Sequence, residues 1–194
     1  MSDFSLMEKY EYLKDLVTSD RRESFLNLMK WIEENTAYLT APASTKYHLS
    51  IEQGLLEHSV SVCTTMIKLK KLVAPEITDE QCVIVGLLHD LGKAGTDRGP
   101  QYIENEPTER QKQYGYKANP PYLYNKDLLW SEHEIRSLFL ISNFGFKLKE
   151  EEFYAIAYHN EPWTEQKSAF RKNKVMTLLQ NADYYSALYL EDKE

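Results

Sequence analysis

The sequence predicts an all-α fold, a compact bundle of about six to eight helices. Three observations carry that expectation. Only 7 Gly and 7 Pro interrupt 194 residues, too few breakers for many short strands. Apolar residues recur three and four positions apart through most of the chain. Several of these runs open with a Ser or Thr followed three residues later by Gln or Glu, the spacing in which two side chains cap each other's backbone donors.

In chain order, Leu6 to Val17 carries Leu6, Tyr10, Leu13 and Val17 on one face, and Arg22 to Leu39 continues with Phe25, Leu28, Met29 and Ile32. These two helices hold few site-type residues and are expected to support the rest, so residues 1–45 read as an N-terminal helical support. Thr40 to Tyr47 is a loop by composition. Ser50 and Gln53 have capping spacing and open a helix to about Leu72. Thr78 and Gln81 repeat the pattern before Val83, Ile84, Leu87 and Leu88, and Gly92 and Gly95 then release the chain. Residues 96–130 form one long irregular stretch, expected to be a functional loop or lid. Ser131 and Glu134 open the next helix, Glu150 to Tyr158 forms a short one, and Lys174 to about Leu190 forms the last. The whole reads as a single domain over 1–194, with a site-bearing core over 46–190.

Composition narrows the function. The net charge of -7 argues against a general duplex-DNA binder, whose phosphate footprint is usually basic. It leaves room for a nucleotide or a nucleic-acid end, because a bound cation supplies positive charge locally. No apolar run approaches the roughly 20 residues of a membrane helix, and the N-terminal text lacks the features of a secretory signal. Cys63 and Cys82 sit in apolar helical patterns and read as buried free thiols. A cytoplasmic setting is the expectation that follows.

The chemistry-bearing residues are spaced in an informative order. His89 and Asp90 close an apolar helix, and a buried carboxylate beside a buried imidazole is costly without compensation. A divalent transition metal supplies it, since this donor pair suits Mn, Fe, Ni, Co or Zn. Asp183 follows Leu179 by one helical turn, and His58 lies two turns into its helix beside Leu55 and Leu56. Three helices therefore each aim ligand-type side chains inward. His48, His133 and His159 complete the set of five histidines.

This order resembles that of the HD-domain superfamily of metal-dependent phosphohydrolases. KYHLSIEQGLLEHS resembles the region of the first ligand His in the branch with a G-L-x-E-H pattern. VIVGLLHDLGKA resembles the defining helix, and LLQNADYYSA the helix bearing the last Asp. The resemblance spans about Lys46 to Ala187. It implies that His58, His89, Asp90 and Asp183 bind one metal, with His133 and His159 in the right order to hold a second. It implies hydrolysis of a phosphomonoester or phosphodiester by a metal-activated water, with Asp90 and Lys93 as the residues closest to the chemistry. Lys93, one turn after His89, belongs to the HD-x-G-K signature and is placed to meet a phosphate oxygen. His48 is either a substrate contact or a loop residue.

Arg98, Arg110, Lys112 and Lys117, interleaved with tyrosines in the 96–130 stretch, are further candidates for phosphates and bases, as is Trp163. The expected partner is thus a nucleotide or nucleic-acid end. Two other readings stay open. Some HD-fold enzymes use a mixed-valent di-iron centre as oxygenases, and some HD-like domains are non-catalytic binding modules. The branch that cleaves cyclic dinucleotides carries a G-Y-P motif, whereas this chain has Gly115-Tyr116-Lys117.

Overall fold

Residues 4–161 and 173–191 are described by a computed structural model. Trp163 lies outside them. Among the described residues the chain forms eight α-helices and one small antiparallel hairpin, so the expected helical bundle is what forms. The helices are α1 (Leu6–Asp15), α2 (Arg22–Asn35), α3 (Gly54–Val73), α4 (Asp79–Leu88), α5 (Glu109–Gln113), α6 (His133–Phe144), α7 (Glu150–Tyr158) and α8 (Lys174–Tyr185). A 3-10 turn, Leu91–Ala94, follows α4, and a π turn, Ser186–Leu190, follows α8. No described helix is long and apolar enough to cross a membrane.

One apolar core joins these helices. Helix α4 is buried on every side from Gln81 onward, with Val83, Ile84, Val85, Leu87 and Leu88 all inaccessible to water. Helices α3, α7 and α8 pack around it. Gly86 permits the closest of these approaches, because a Cβ there would lie 2.8 Å from the Cys63 Cα of α3. Tyr38, after α2, donates its buried hydroxyl to the Leu87 carbonyl at 2.8 Å. The N-terminal helices thus contribute core residues such as Tyr10, Phe25 and Ile32 rather than forming a separate layer. Cys63 and Cys82 are both free and buried, and burial pushes the Cys82 thiol up to about 12.

The capping patterns divide instructively. Thr78 and Gln81 form the expected reciprocal box at α4. Ser50 and Gln53 do not, because α3 starts later, at Gly54, with Gln53 in the left-handed region at φ 63°. Its first donors go to the preceding loop: Gln53 N–H to the Thr40 carbonyl at 3.0 Å and Leu55 N–H to the Ala41 carbonyl at 2.9 Å. Backbone carbonyls have taken the donors that a side-chain cap would satisfy. At α6, Ser131 Oγ donates to the Glu132 carbonyl and Glu134 turns inward, so that box is not formed either. Helix α2 ends at Asn35 rather than Leu39, where Thr36 becomes extended.

The 96–130 stretch is more ordered than its composition suggests. Strands β1 (Tyr102–Glu104) and β2 (Tyr122–Tyr124) pair antiparallel, with Tyr102 opposite Tyr124, and α5 carries its own Thr108/Gln111 capping box. Arg136 of α6 binds this excursion to the core, donating to the Leu129 carbonyl at 2.6 Å and to Gln101.

Two polar devices fix the helices that matter most. Arg21, ahead of α2, donates to Glu80 of α4 at 2.6 Å and to Glu152 of α7 at 2.7 Å. The Glu152 side chain is fully buried. The second device joins the 3-10 turn to α6. A Cβ on Gly92 would lie 2.1 Å from the His133 carbonyl oxygen, so only glycine allows this approach. Ser137 Oγ stitches the contact, accepting from Gly92 N–H at 2.8 Å and lying 3.0 Å from the His89 carbonyl.

Removing Arg21 strands a buried carboxylate, so Arg21→Met is expected to cost about 3 kcal/mol in urea unfolding. Burial raises the Glu80 pKa, but the Arg21 guanidinium and the Ser19 donors outweigh it and hold the carboxyl below its ordinary value. A depressed carboxylate stabilises the fold above its unfolded pKa, and that contribution is lost as pH falls through the folded value. The gap between wild type and Arg21→Met should therefore be full near neutrality and narrow below about pH 4. A gap that widened in acid would contradict the pairing. Gly92→Ala should lose about 2 kcal/mol and shift the His133 ring resonances in NMR spectra. A variant of unchanged stability and spectrum would disprove the close approach.

Candidate metal centre

The polar centre of the molecule is assembled from the ends and inner faces of α3, α4, α6, α7 and α8. Asp90 lies where α4 gives way to the 3-10 turn, and the residue is 1% exposed. Its two oxygens face different partners. Oδ2 lies 3.4 Å from His58 Nε2, 3.4 Å from His89 Nε2 and 2.6 Å from Lys93 Nζ. Oδ1 lies 3.1 Å from His133 Nε2 and 3.6 Å from His159 Nε2. His58 Nε2 also lies 3.2 Å from Asp183 Oδ1. The rings of His58, His89, His159 and His133 follow one another with neighbouring centroids 4.9 to 5.4 Å apart.

Local structure dictates which nitrogen faces inward. His89 Nδ1 donates to the Gly86 carbonyl at 2.9 Å, and His159 Nδ1 donates to the Ile156 carbonyl at 2.9 Å. A carbonyl can only accept, so these contacts place a proton on Nδ1 and turn Nε2 toward Asp90. His58 uses a different partner, the Glu191 carboxylate, at 2.9 and 3.1 Å from its two oxygens. His133 Nδ1 lies 3.4 Å from the Glu134 carboxylate.

These donors suit a cation. His89 Nε2 and Asp90 Oδ1 are buried yet make no hydrogen bond of proper geometry, even with polar groups 3.1 to 3.6 Å away. A buried polar atom without a partner is costly, and bound divalent cations would satisfy these two. Two overlapping donor groups meet here: His58, His89 and Asp183, and His89, Asp90 and His159. A third links His133, Glu134 and His159, and a fourth His48, His58 and Glu191.

Electrostatics follow from the crowding. Burial opposes a charge on His58, but the carboxylates of Asp183, Asp90 and Glu191 hold its pKa well above the ordinary imidazole value. Burial opposes ionised Asp90 as well, and Lys93 with the His89 and His133 rings outweighs it, so the carboxyl stays well below its usual range. Asp183 is lowered in the same way, chiefly by His58. Lys93 is held above its ordinary value by Asp90 despite burial.

The centre opens into a cavity of about 520 Å³ lined by His48, Asp90, Lys93, His133, His159 and Asp183, with Asn160, Gln180, Asn181 and Tyr184 beyond them. His48 is thus a cavity residue. Its ring lies 4.9 Å from that of His58, and its Nε2 has no hydrogen-bond partner. Burial first, and then the His58 and Lys93 charges, lower its pKa. Arg98 is not brought here. It is exposed in the turn between Thr96 and Gly99. Nor does the aromatic stretch form a lid over this cavity. Tyr102 and Tyr122 line a separate cleft with Glu34, Glu52, Asp97 and Glu104, and Arg136 anchors the excursion through Leu129 and Gln101.

Glu191 and Glu134 were not anticipated from the sequence. Glu134 sat in a capping pattern that explained it away, and Glu191 follows a π turn that hides its helical phase.

No curated protein and no solved structure matches this chain. The family model for the HD domain matches residues 55–188, a segment that contains His58, His89, Asp90, His133, His159 and Asp183 but neither His48 nor Glu191. With well over half of its length matched, the chain belongs to the HD-domain family.

Proposed function

We propose that this protein is a metal-dependent phosphohydrolase that cleaves a phosphomonoester or phosphodiester of a nucleotide or nucleic-acid end. The observation that carries the reading is the division of Asp90, with one oxygen toward His58 and His89 and the other toward His133 and His159. A carboxylate so divided suits two divalent ions, one held with His58, His89 and Asp183 and the other with His133 and His159. Such ions, when bound, lower the pKa of a water and polarise a phosphoryl oxygen.

The chain's own groups supply the rest. Lys93, on the cavity wall and paired with Asp90 at 2.6 Å, offers an ammonium to a phosphoryl oxygen as charge develops there. His48 offers a neutral imidazole nitrogen, since its surroundings disfavour the charged form. Asn160, Gln180 and Asn181 offer amides to a sugar or base, and Tyr184 offers a ring face. A cavity near 520 Å³ is of the right order for a mononucleotide. Among the described residues the wall offers no thiol or seryl nucleophile, which favours direct attack by water without a covalent enzyme intermediate.

The test is hydrolysis of a panel of mononucleotides, dinucleotides and bis(p-nitrophenyl) phosphate with Mn²⁺, Ni²⁺, Co²⁺ or Zn²⁺ added to chelator-treated protein. Metal-dependent turnover is expected, abolished in Asp90→Ala with helicity retained and reduced about 10²-fold in Lys93→Ala. Turnover that survives Asp90→Ala would sink the proposal. An iron pair absorbing in visible light, with no phosphoester cleaved, would assign the same donors to an oxygenase instead.

A further inference from the structure

Three of the four inward histidines make Nδ1 contacts within or beside their own helices. His89 and His159 use the carbonyl three residues back, and His133 faces the adjacent Glu134. His58 alone reaches a distant residue, 133 positions away, and that residue is the last one described, Glu191. Its carboxylate meets the ring with both oxygens, and its side chain is only 2% exposed. An isolated buried carboxylate is costly, so its position needs a reason.

The π turn supplies the geometry. Asp183 and Glu191 lie eight residues apart. An α-helix advances about 100° per residue, so eight residues would leave Glu191 about 80° round from Asp183. A π turn absorbs one additional residue, which brings the net offset back to about 20°. Glu191 N–H closes that turn on the Ser186 carbonyl at 3.1 Å, and Ser186 Oγ donates to Thr65 Oγ1 of α3 at 3.3 Å. The wide turn is therefore docked on the helix that carries His58, and it returns a second carboxylate to the side already occupied by Asp183. Asp183 faces Nε2 of the ring while Glu191 holds Nδ1.

We propose that Glu191 is the positioning residue for His58, so that the C-terminal π turn sets the orientation and basicity of one ligand of the metal centre. The proposal rests on the metal-centre reading above. A carboxylate on Nδ1 fixes the tautomer as a carbonyl does, and its charge also makes Nε2 a stronger donor to a cation. Glu191 lies three residues beyond the segment matched by the family model, which ends at residue 188, so this device belongs to the chain's own C-terminal turn.

The experiment titrates Mn²⁺ into metal-stripped wild type, Glu191→Gln and Glu191→Ala by calorimetry, and follows the His58 Nδ1–H resonance of each metal-free protein. Glu191→Ala is expected to weaken Mn²⁺ binding about 10- to 100-fold and to lose the slowly exchanging resonance. Glu191→Gln keeps an acceptor oxygen without the charge and should fall between. Equal affinity in all three proteins, or equal loss in the two variants, would overturn the proposal. Should Glu191→Ala fail to fold by circular dichroism, Glu191→Gln against wild type decides alone, with unchanged affinity the contradicting result. A wild type that binds no Mn²⁺ would refute the metal reading itself, and the resonance would still report whether Glu191 holds the His58 ring.

Discussion

Asp90 is a carboxylate with almost no access to water, set just past a helix that is apolar on every side from Cys82 to Leu88. Placing a charge there is unfavourable by several kcal/mol unless other groups compensate it. Lys93 balances one oxygen directly, and four imidazoles surround the pair. Nearly every structural choice around the centre can be traced to this constraint. The apolar α4 packs in the middle of the bundle and so delivers Asp90 there. The chain then breaks into a 3-10 turn, which returns Lys93 to the Asp90 carboxylate three residues after it.

The neighbouring elements are held to the same point by separate means. Gly92 lets α6 approach the turn closely enough for His133 to reach Asp90, and Ser137 binds both backbones. Arg21 ties α2 to α4 and α7, the helices that deliver His89 and His159. The π turn after α8 brings Glu191 behind His58. Each device is far smaller than the hydrophobic core, yet together they decide where the Nε2 atoms sit. The core holds the helices together, and these contacts set their register. That division explains how an ordinary apolar bundle can present so many polar groups at one buried point.

Much of this was legible in the sequence because burial leaves a periodic trace. His58, His89 and Asp183 sit beside apolar stripes, so their inward direction could be read from spacing alone. Thr78 and Gln81 were legible for the same reason, being local partners on one turn. What was hidden depends on competition between distant groups. The Ser50–Gln53 pattern failed because loop carbonyls from Thr40 and Ala41 took the α3 donors. The Ser131–Glu134 pattern failed because Glu134 turned toward His133. Glu191 was out of phase with Asp183 until the π turn absorbed a residue. The tyrosines and Arg98 of the 96–130 stretch looked suited to substrate by composition, but the anchoring by Arg136 places the excursion elsewhere.

Metal binding at this centre depends on whether the unpartnered His89 Nε2 and Asp90 Oδ1, with the imidazoles around them, are the ligands of a cation. The most direct measurement is an anomalous difference map from crystals of Mn²⁺-loaded protein. The expected result is a peak at coordination distance, roughly 2.0–2.3 Å, from Asp90 Oδ2, an Asp183 carboxylate oxygen and the Nε2 atoms of His58 and His89. A second peak is expected, shared by Asp90 Oδ1, His133 and His159. A map with bound Mn²⁺ only at surface carboxylates, and none within reach of Asp90, would contradict metal binding at this centre.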